Sequence, residues 1–128
     1  MNLIKATLFF VSVFLVLNTI SCINVNSANS LPKVKNAYYS TYNIKGEKGF
    51  DVEFETKNDE YLPESIIINN VKQSLETAEK TGNHYKIKVI KESRMIENFK
   101  IVSDNRENGI IFKTDKNLYF QPIQFKIR

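Results

Sequence analysis

Strict alternation of apolar and charged residues is the pattern that most limits how this chain can fold. In the segment 50–56, Phe50, Val52 and Phe54 alternate with three acidic residues, and Thr56 ends the segment. Residues 85–89 repeat the pattern, with tyrosine, isoleucine and valine alternating with Lys86 and Lys88. Successive side chains of a strand point to opposite faces, so each segment is predicted to be a strand with one face in a core. If the two strands are neighbours, opposite charges across them would contribute about 0.2–1 kcal/mol per pair, which favours a register without driving folding.

Short β-prone segments separated by turn signals fill the chain from residue 33 onward, which predicts seven or eight short strands. The β-prone segments are 33–44, 50–56, 66–68, 85–90, 95–104 (centred on Phe99 and Ile101), 110–113, 118–120 and 123–127. Residues that favour turns and loops separate them at 45–49, 57–64, 69–70, 81–83, 105–109 and 114–117. Asn108-Gly109 is a pair typical of hairpin turns, and Pro122 indicates a break or an edge position.

Residues 71–81 fit two interpretations. Val71, Leu75 and Ala78 have helical spacing, and Glu76 and Lys80 would form a favourable i,i+4 pair. The apolar stripe is thin, however, and the segment lies between two strong strands. A strand over residues 72–77 is therefore preferred to a helix.

The absence of a convincing helix after residue 33, together with the regular turn spacing, predicts an all-β fold. The expected architecture is an antiparallel sandwich of the immunoglobulin-like type, with a small β-barrel as the alternative. Residues 33–128 are long enough to build one such domain without disulfides.

The first residues of the chain indicate export. Lys5 is followed by an unbroken apolar run, residues 6–17, and then by a short polar stretch. As a helix this run would be only about 18 Å long, whereas a bilayer core of about 30 Å needs about 20 apolar residues. A short apolar run after a cationic start is typical of a signal peptide, although an uncleaved anchor helix is an alternative.

Ile20-Ser21-Cys22 resembles the lipobox of bacterial lipoproteins. Ser21 and Cys22 match that motif, whereas Thr19 stands where the family usually has an aliphatic residue. The resemblance implies cleavage before Cys22 and attachment of a diacylglyceryl group and a fatty acyl chain such as palmitate to this cysteine. No acidic residue directly follows Cys22, which in this family favours the outer membrane. The alternative is an ordinary signal peptide that releases a soluble periplasmic or secreted protein.

These observations divide the chain into three parts: a signal peptide over 1–21, a lipidated tether over 22–32, and a β-domain over 33–128. Cys22 is the only cysteine, so in an oxidising compartment it has no partner within the chain. Lipidation accounts for this lone thiol, and two or more acyl chains would hold the protein stably on a membrane.

The domain carries no recognisable catalytic, cofactor or metal motif. His84 is the only histidine, and no serine lies in a Gly-x-Ser-x-Gly context. The three acidic residues of 50–56 lie on one strand face, whereas glycosidases need carboxyl groups facing each other across a cleft. Together with Asn58-Asp59 they offer oxygen ligands of the kind that calcium prefers, but they lack the spacing of known calcium loops. The sequence therefore predicts a protein that is not an enzyme and has no cofactor.

Tyr38, Tyr39 and Tyr42 are the candidate ligand-contact residues. In a strand, adjacent Tyr38 and Tyr39 point to opposite faces, so one could pack inward while the other meets a sugar or a peptide. The net charge is only +4, arginine occurs three times and the lysines are dispersed, which argues against nucleic acid as a partner.

Three functions remain open from the sequence. The first is a membrane-anchored cell-envelope lipoprotein with a non-catalytic binding or structural domain, whose partner would be an envelope protein or a glycan. The second is a secreted inhibitor or immunity-type protein that blocks an enzyme or toxin through its loops. The third, a small envelope enzyme, is the least supported because catalytic motifs are missing.

Overall fold

A computed structural model describes residues 32–57 and 60–128, which fold into ten β-strands. The strands are β1 (Val34–Ile44), β2 (Glu47–Thr56), β3 (Leu62–Ile68), β4 (Val71–Ser74), β5 (Glu79–Thr81), β6 (His84–Ser93), β7 (Val102–Ser103), β8 (Gly109–Lys113), β9 (Leu118–Pro122) and β10 (Lys126–Ile127). The predicted signal peptide, Cys22 and nearly all of the predicted tether lie outside the described residues.

The strands form two five-stranded sheets. The order is β10-β1-β2-β6-β5 in the first sheet and β7-β4-β3-β8-β9 in the second. All pairings are antiparallel except that of β1 with β10, which is parallel. The predicted all-β sandwich is confirmed: the described residues contain no helix, and each sheet keeps two open edges, unlike the barrel alternative.

The alternating segments are the central pair of the first sheet. Val52 and Phe54 on β2 are almost completely buried, and the Phe54 ring stacks on Tyr85 of β6 at 5.0 Å. The outward residues pair as predicted, because Asp51 lies opposite Lys88 and Glu53 lies opposite Lys86. Their charged atoms are 3.1 Å and 3.7 Å apart, respectively. The pattern therefore specified the core face, and the structure meets the condition that the two strands are neighbours.

The second sheet closes the core from the other side. Its buried aliphatic and aromatic side chains pack with those of the first sheet in one continuous cluster. The fully buried members contributed by the second sheet are Ile66, Ile68, Ile110 and Phe112. Both sheets bury one face in this cluster, and the buried side chains of Ile67 and Ile111 in the second sheet lie outside it.

Two-residue turns connect three pairs of strands. Lys45 and Gly46 have φ values of 51° and 84°, and Asn69 and Asn70 have φ values of 47° and 67°. These left-handed conformations are those that tight hairpin turns require. The first turn is shorter than the predicted 45–49, because Gly49 lies inside β2 rather than in the turn. The third turn, Gly82-Asn83, joins β5 to β6 as expected.

The ambiguous segment over residues 71–81 forms neither a helix nor one strand. It is extended as β4, turns at residues 75–78, and is extended again as β5 in the other sheet. The Leu75 amide donates a hydrogen bond to the Glu64 carbonyl at 2.8 Å, and the Leu75 side chain is buried. The predicted strand over 72–77 is thus correct only in its first half, because the chain turns after Ser74 and then crosses to pair with β6 of the first sheet.

Three other predictions need correction. The strand expected within 95–104 is reduced to Val102–Ser103, since the Ser93 hydroxyl accepts hydrogen bonds from two following amides and Asn98 has a φ of 55°. The Asn108-Gly109 pair is not a hairpin turn, because Gly109 begins β8 while the Asn108 side chain accepts from the Asn69 amide at 2.8 Å. The last strand is only two residues long, and Ile127 is exposed at the sheet edge.

Candidate functional site

A concavity lined by described residues lies on the solvent-facing side of the first sheet, which we call the outer face. It is an open groove of about 580 Å³. Its floor is formed by the outward residues of β2 and β6, and one wall is the chain between β4 and β5, which crosses from the second sheet to the first. Polar and charged residues dominate the lining: Asp51, Glu53, Gln73, Thr77, Lys86 and Lys88.

Gln73 fixes this wall. Its side-chain amide nitrogen donates to the Lys88 carbonyl at 2.5 Å, and its side-chain oxygen accepts from the Ile90 amide at 2.9 Å. These are the backbone groups that a neighbouring strand would use, and β5 pairs only with the first part of β6, up to Lys86. A side chain of the second sheet thus continues the pairing of the first sheet where β5 has ended.

Glu53 is the electrostatic centre of the outer face. One carboxylate oxygen lies 3.4 Å from His84 Nε2 and 3.6 Å from an Arg128 guanidinium nitrogen, and the other lies 3.7 Å from Lys86 Nζ. The Glu53 side chain is about one-third exposed, so water and salt screen these attractions. The cluster therefore orients side chains of β2, of β6 and of the residue after β10 more than it stabilises the fold.

The three candidate tyrosines divide between the two faces of β1. Tyr39 packs inward, with its ring 5.9 Å from Phe50 in an edge-to-face arrangement. Tyr38 lies opposite Glu53 on the outer face, and the Arg128 guanidinium covers its ring at 4.0 Å. Tyr38 and Tyr39 therefore lie on opposite faces of β1, as the sequence predicted.

Tyr42 also contributes to the outer face, although it is buried. Its hydroxyl donates to a Glu47 carboxylate oxygen at 3.0 Å, and Lys88 Nζ lies 4.3 Å from its ring centroid. Burial, followed by the hydrogen bond to Glu47, raises the pKa of the Tyr42 phenol well above its ordinary value. The phenol therefore remains a neutral donor, and a ligand would have to displace Lys88 to stack on the ring.

The chemistry of this face is that of polar recognition. Asp51 and Glu53 form ion pairs with Lys88 and Lys86, respectively. The side-chain amide of Gln73 and the hydroxyl of Thr77 line the wall beside them. Among residues 32–57 and 60–128, no group of three or more histidine or acidic side chains is placed to hold a metal ion. His84 lies at the start of β6 beside Glu53. These groups can donate and accept hydrogen bonds to a ligand rich in hydroxyl or amide groups.

Gln73 and Arg128 are the site residues that sequence reasoning missed. Gln73 lies in the ambiguous segment, and its partners are 15 and 17 residues away in the chain. Arg128 reaches Glu53 only because β10 pairs with β1. The charges on β2 and β6 were visible as alternation, but no local pattern pointed to these two side chains.

Cys22, the predicted lipidation site, lies outside the described residues. Within the described residues, no helix is long and apolar enough to cross a membrane. Comparison with known proteins gave no match to a family model, to a curated protein or to a solved structure.

Proposed function

We propose that this chain is a lipid-anchored lipoprotein of the cell envelope, most consistent with the outer membrane, and that its β-sandwich is a non-catalytic binding module. The observation that carries the proposal is the leader: a cationic start, a short apolar run over residues 6–17, and Ser21-Cys22 directly after it. An apolar run of this length is too short to span the hydrocarbon core of a bilayer, and lipidation would explain why the chain has a single cysteine.

The groove on the outer face supports a binding role. Its volume of about 580 Å³ lies within the range of ligand pockets, about 300–1,000 Å³. Its lining is more polar than a typical pocket for an apolar ligand, which favours an envelope glycan or a polar segment of an envelope protein. Asp51, Lys86 and Lys88 would supply hydrogen bonds to hydroxyl or amide groups of that ligand.

Replacing the cysteine tests the anchor. Cys22→Ala removes the thiol that accepts lipid, so the variant should leave the membrane fraction, while the matched control Ser30→Ala should remain there. Mass spectrometry of the natural protein should find a processed N-terminus at Cys22 with added acyl mass. An intact N-terminal methionine or an unmodified thiol would contradict the proposal.

Charge reversal tests the groove. Lys88→Glu should weaken binding of peptidoglycan fragments or cross-linking to an envelope protein, because it adds a fourth acidic group to a groove already lined by Asp51, Glu53 and Glu79. Lys100→Glu, a matched reversal in the loop after β6, should have no effect. NMR chemical-shift mapping would measure both, and equal binding by the two variants would exclude the outer face as the site.

A second candidate function has one observation in its favour. The loop after β6 exposes Met95 and Ile96, at 73% and 46% of their surface. An inhibitor or immunity-type protein would use such a loop to block an enzyme or toxin. A photo-cross-linker at Met95 that captured an envelope or secreted enzyme, and inhibited it, would favour this function over glycan binding.

A further inference from the structure

The two ends of the sandwich lie at different distances from the start of the domain. We define the entry end as the one where β1 begins, with Val34 paired to Thr56. A connection over residues 57–61 then leads to Leu62 at the start of β3. Leu62 pairs with Lys113, and Lys113 pairs with Leu118, so β8 ends and β9 begins at this end. The opposite end carries the Lys45–Gly46 turn, and we call it the hairpin end.

The entry end exposes apolar side chains on β3 and β9, the two strands on either side of β8. Leu62 and Leu118 are 55% and 59% exposed, and both flank Lys113 in the second sheet. Next to Leu118, the Tyr119 ring packs edge-to-face on Tyr61 at 5.8 Å. The Tyr119 hydroxyl accepts a hydrogen bond from the Asn117 amide at 3.3 Å. Exposed leucines beside a tyrosine with a polar tip resemble the side chains found where membrane meets water.

The same end is rich in lysine. Lys33 and Lys35 lie at the start of β1, Lys57 directly follows β2, and Lys113 and Lys116 lie at the turn between β8 and β9. Lys57 is close enough to Lys35 to lower the pKa of the Lys35 amine, mainly through a side-chain hydrogen bond and charge repulsion. The acidic residues in these segments are Glu55, Asp59, Glu60 and Asp115. Five lysines thus stand against four acidic residues, so this end has a small excess of positive charge, and Lys113 and Lys116 can meet an anionic surface.

The length of the chain before the domain decides which end can meet a membrane. The chain from Cys22 to Pro32 spans ten residue steps and can reach at most about 33–36 Å. β1 has 11 residues and is therefore about 35 Å long, so the hairpin end lies about that far from Val34. The entry end is thus within reach of the lipid, whereas bringing the hairpin end to the membrane would require almost the full length of this chain.

We propose that the entry end is a second, non-covalent contact with the membrane, made to anionic phospholipid. Leu62 and Leu118 enter the headgroup boundary, Tyr119 lies at headgroup level, and Lys113 and Lys116 face lipid phosphates. This contact rests on the proposed lipid anchor and orients the domain with its hairpin end away from the bilayer. The anchor alone would leave that orientation free.

A single introduced tryptophan tests this contact, because the natural chain has none. Leu118→Trp places the reporter at the entry end, and Ile44→Trp places the matched control at the exposed hairpin end. Each lipidated full-length protein is reconstituted in vesicles of phosphatidylethanolamine and phosphatidylglycerol that contain brominated lipid. We expect a blue shift and strong bromine quenching for the tryptophan at 118 and neither for the tryptophan at 44. Leu62→Trp provides a second reporter at the entry end if the first variant does not fold.

Charge supplies the second arm of the experiment. Lys113→Glu with Lys116→Glu, added to Leu118→Trp, should reduce the quenching, as should replacing phosphatidylglycerol with phosphatidylcholine. Failure of the protein to float with vesicles would overturn the lipid anchor and this contact together. Flotation with an unquenched tryptophan at 118, or with a quenched tryptophan at 44, would overturn the contact and leave the anchor standing.

Discussion

At the scale of single residues, close approach rather than turn geometry explains two of the glycines. A Cβ at Gly49 would overlap the Val89 carbonyl oxygen, and one at Gly109 would meet both the Gln121 carbonyl and the Phe120 ring. Both residues lie inside strands, and neither has a positive φ. Their lack of a side chain lets a neighbouring backbone or ring pass close to the strand.

Gly49→Ala should therefore destabilise the fold. The added methyl group must push β6 away from β2, and overpacking of this kind costs about 1–3 kcal/mol. Urea unfolding would measure the loss as a lower midpoint with an unchanged slope. Gly82→Asn is the control, because nothing lies within 4 Å of its Cβ position and asparagine tolerates the left-handed φ of 60°. Equal stability of Gly49→Ala and the natural protein would contradict the close approach.

Asp104 and Arg106 form a pH-sensitive clip in the loop before β8. The Asp104 carboxylate accepts hydrogen bonds from the Arg106 guanidinium at 2.8 Å and 3.0 Å and from its backbone amide at 3.0 Å. The guanidinium also lies 4.8 Å from the Phe120 ring centroid. These hydrogen bonds, the side-chain ones first, lower the pKa of Asp104 from 3.8 to about 2.

The sign of the resulting pH dependence follows from that lowered pKa. The clip stabilises the fold fully above pH 3.8, and its contribution is lost as the pH falls towards 2. Arg106→Gln should return the Asp104 pKa towards 3.8, measured by NMR titration of the carboxyl carbon. The stability difference between this variant and the natural protein should shrink over the same range, while Arg94→Gln should leave the Asp104 titration unchanged. An unshifted titration in Arg106→Gln would disprove the clip.

At the scale of elements, one side chain replaces a strand at the edge of the first sheet. β5 covers only the first part of β6, and Gln73 of β4 then bonds to the Lys88 carbonyl and the Ile90 amide. Because β4 belongs to the second sheet, this contact ties the two sheets at one corner and forms a wall of the groove. The side-chain amide of Gln73 thus links β4 of the second sheet to the part of β6 that β5 does not cover.

Gln73→Leu should expose that coupling. The leucine cannot replace either hydrogen bond, so the Ile90 amide and the Lys88 carbonyl lose their partners, at a cost of about 1–3 kcal/mol when water cannot reach them. Hydrogen exchange should accelerate at Ile90 and hardly change at Val52 on β2. Gln124→Leu, an exposed glutamine, is the matched control. Unchanged protection of Ile90 would show that the contact contributes nothing.

At the scale of the whole molecule, one core unites the two sheets. Phe54 of the first sheet and Phe112 of the second are both completely buried in the same apolar cluster. No pair of described strands links the sheets by a ladder, so packing holds them together. A sandwich built in this way should unfold as one cooperative unit.

Phe54→Leu and Phe112→Leu test that cooperativity. Each substitution leaves a cavity and should lower stability by roughly 1–3 kcal/mol. Either variant should shift the unfolding midpoints of both sheets equally, read from backbone amides of β2 and of β8 by hydrogen exchange in denaturant. A shift confined to the substituted sheet would mean that the sheets unfold independently. Leu62→Ala, at an exposed position, is the control and should change little.

The sequence by itself determined the elements whose burial and geometry are local. Period-two alternation specified β2 and β6, their core faces and their opposite charges, and the Asn69-Asn70 pair specified a tight turn, because these features depend on neighbours within a few residues. Only the tertiary structure decided the rest. Residues 71–81 split between two sheets, because β4 pairs with β3 whereas β5 pairs with β6, and these partners outweighed the local β-propensity. The outer-face groove has the same origin, since Gln73 and Arg128 reach it only after both sheets have formed.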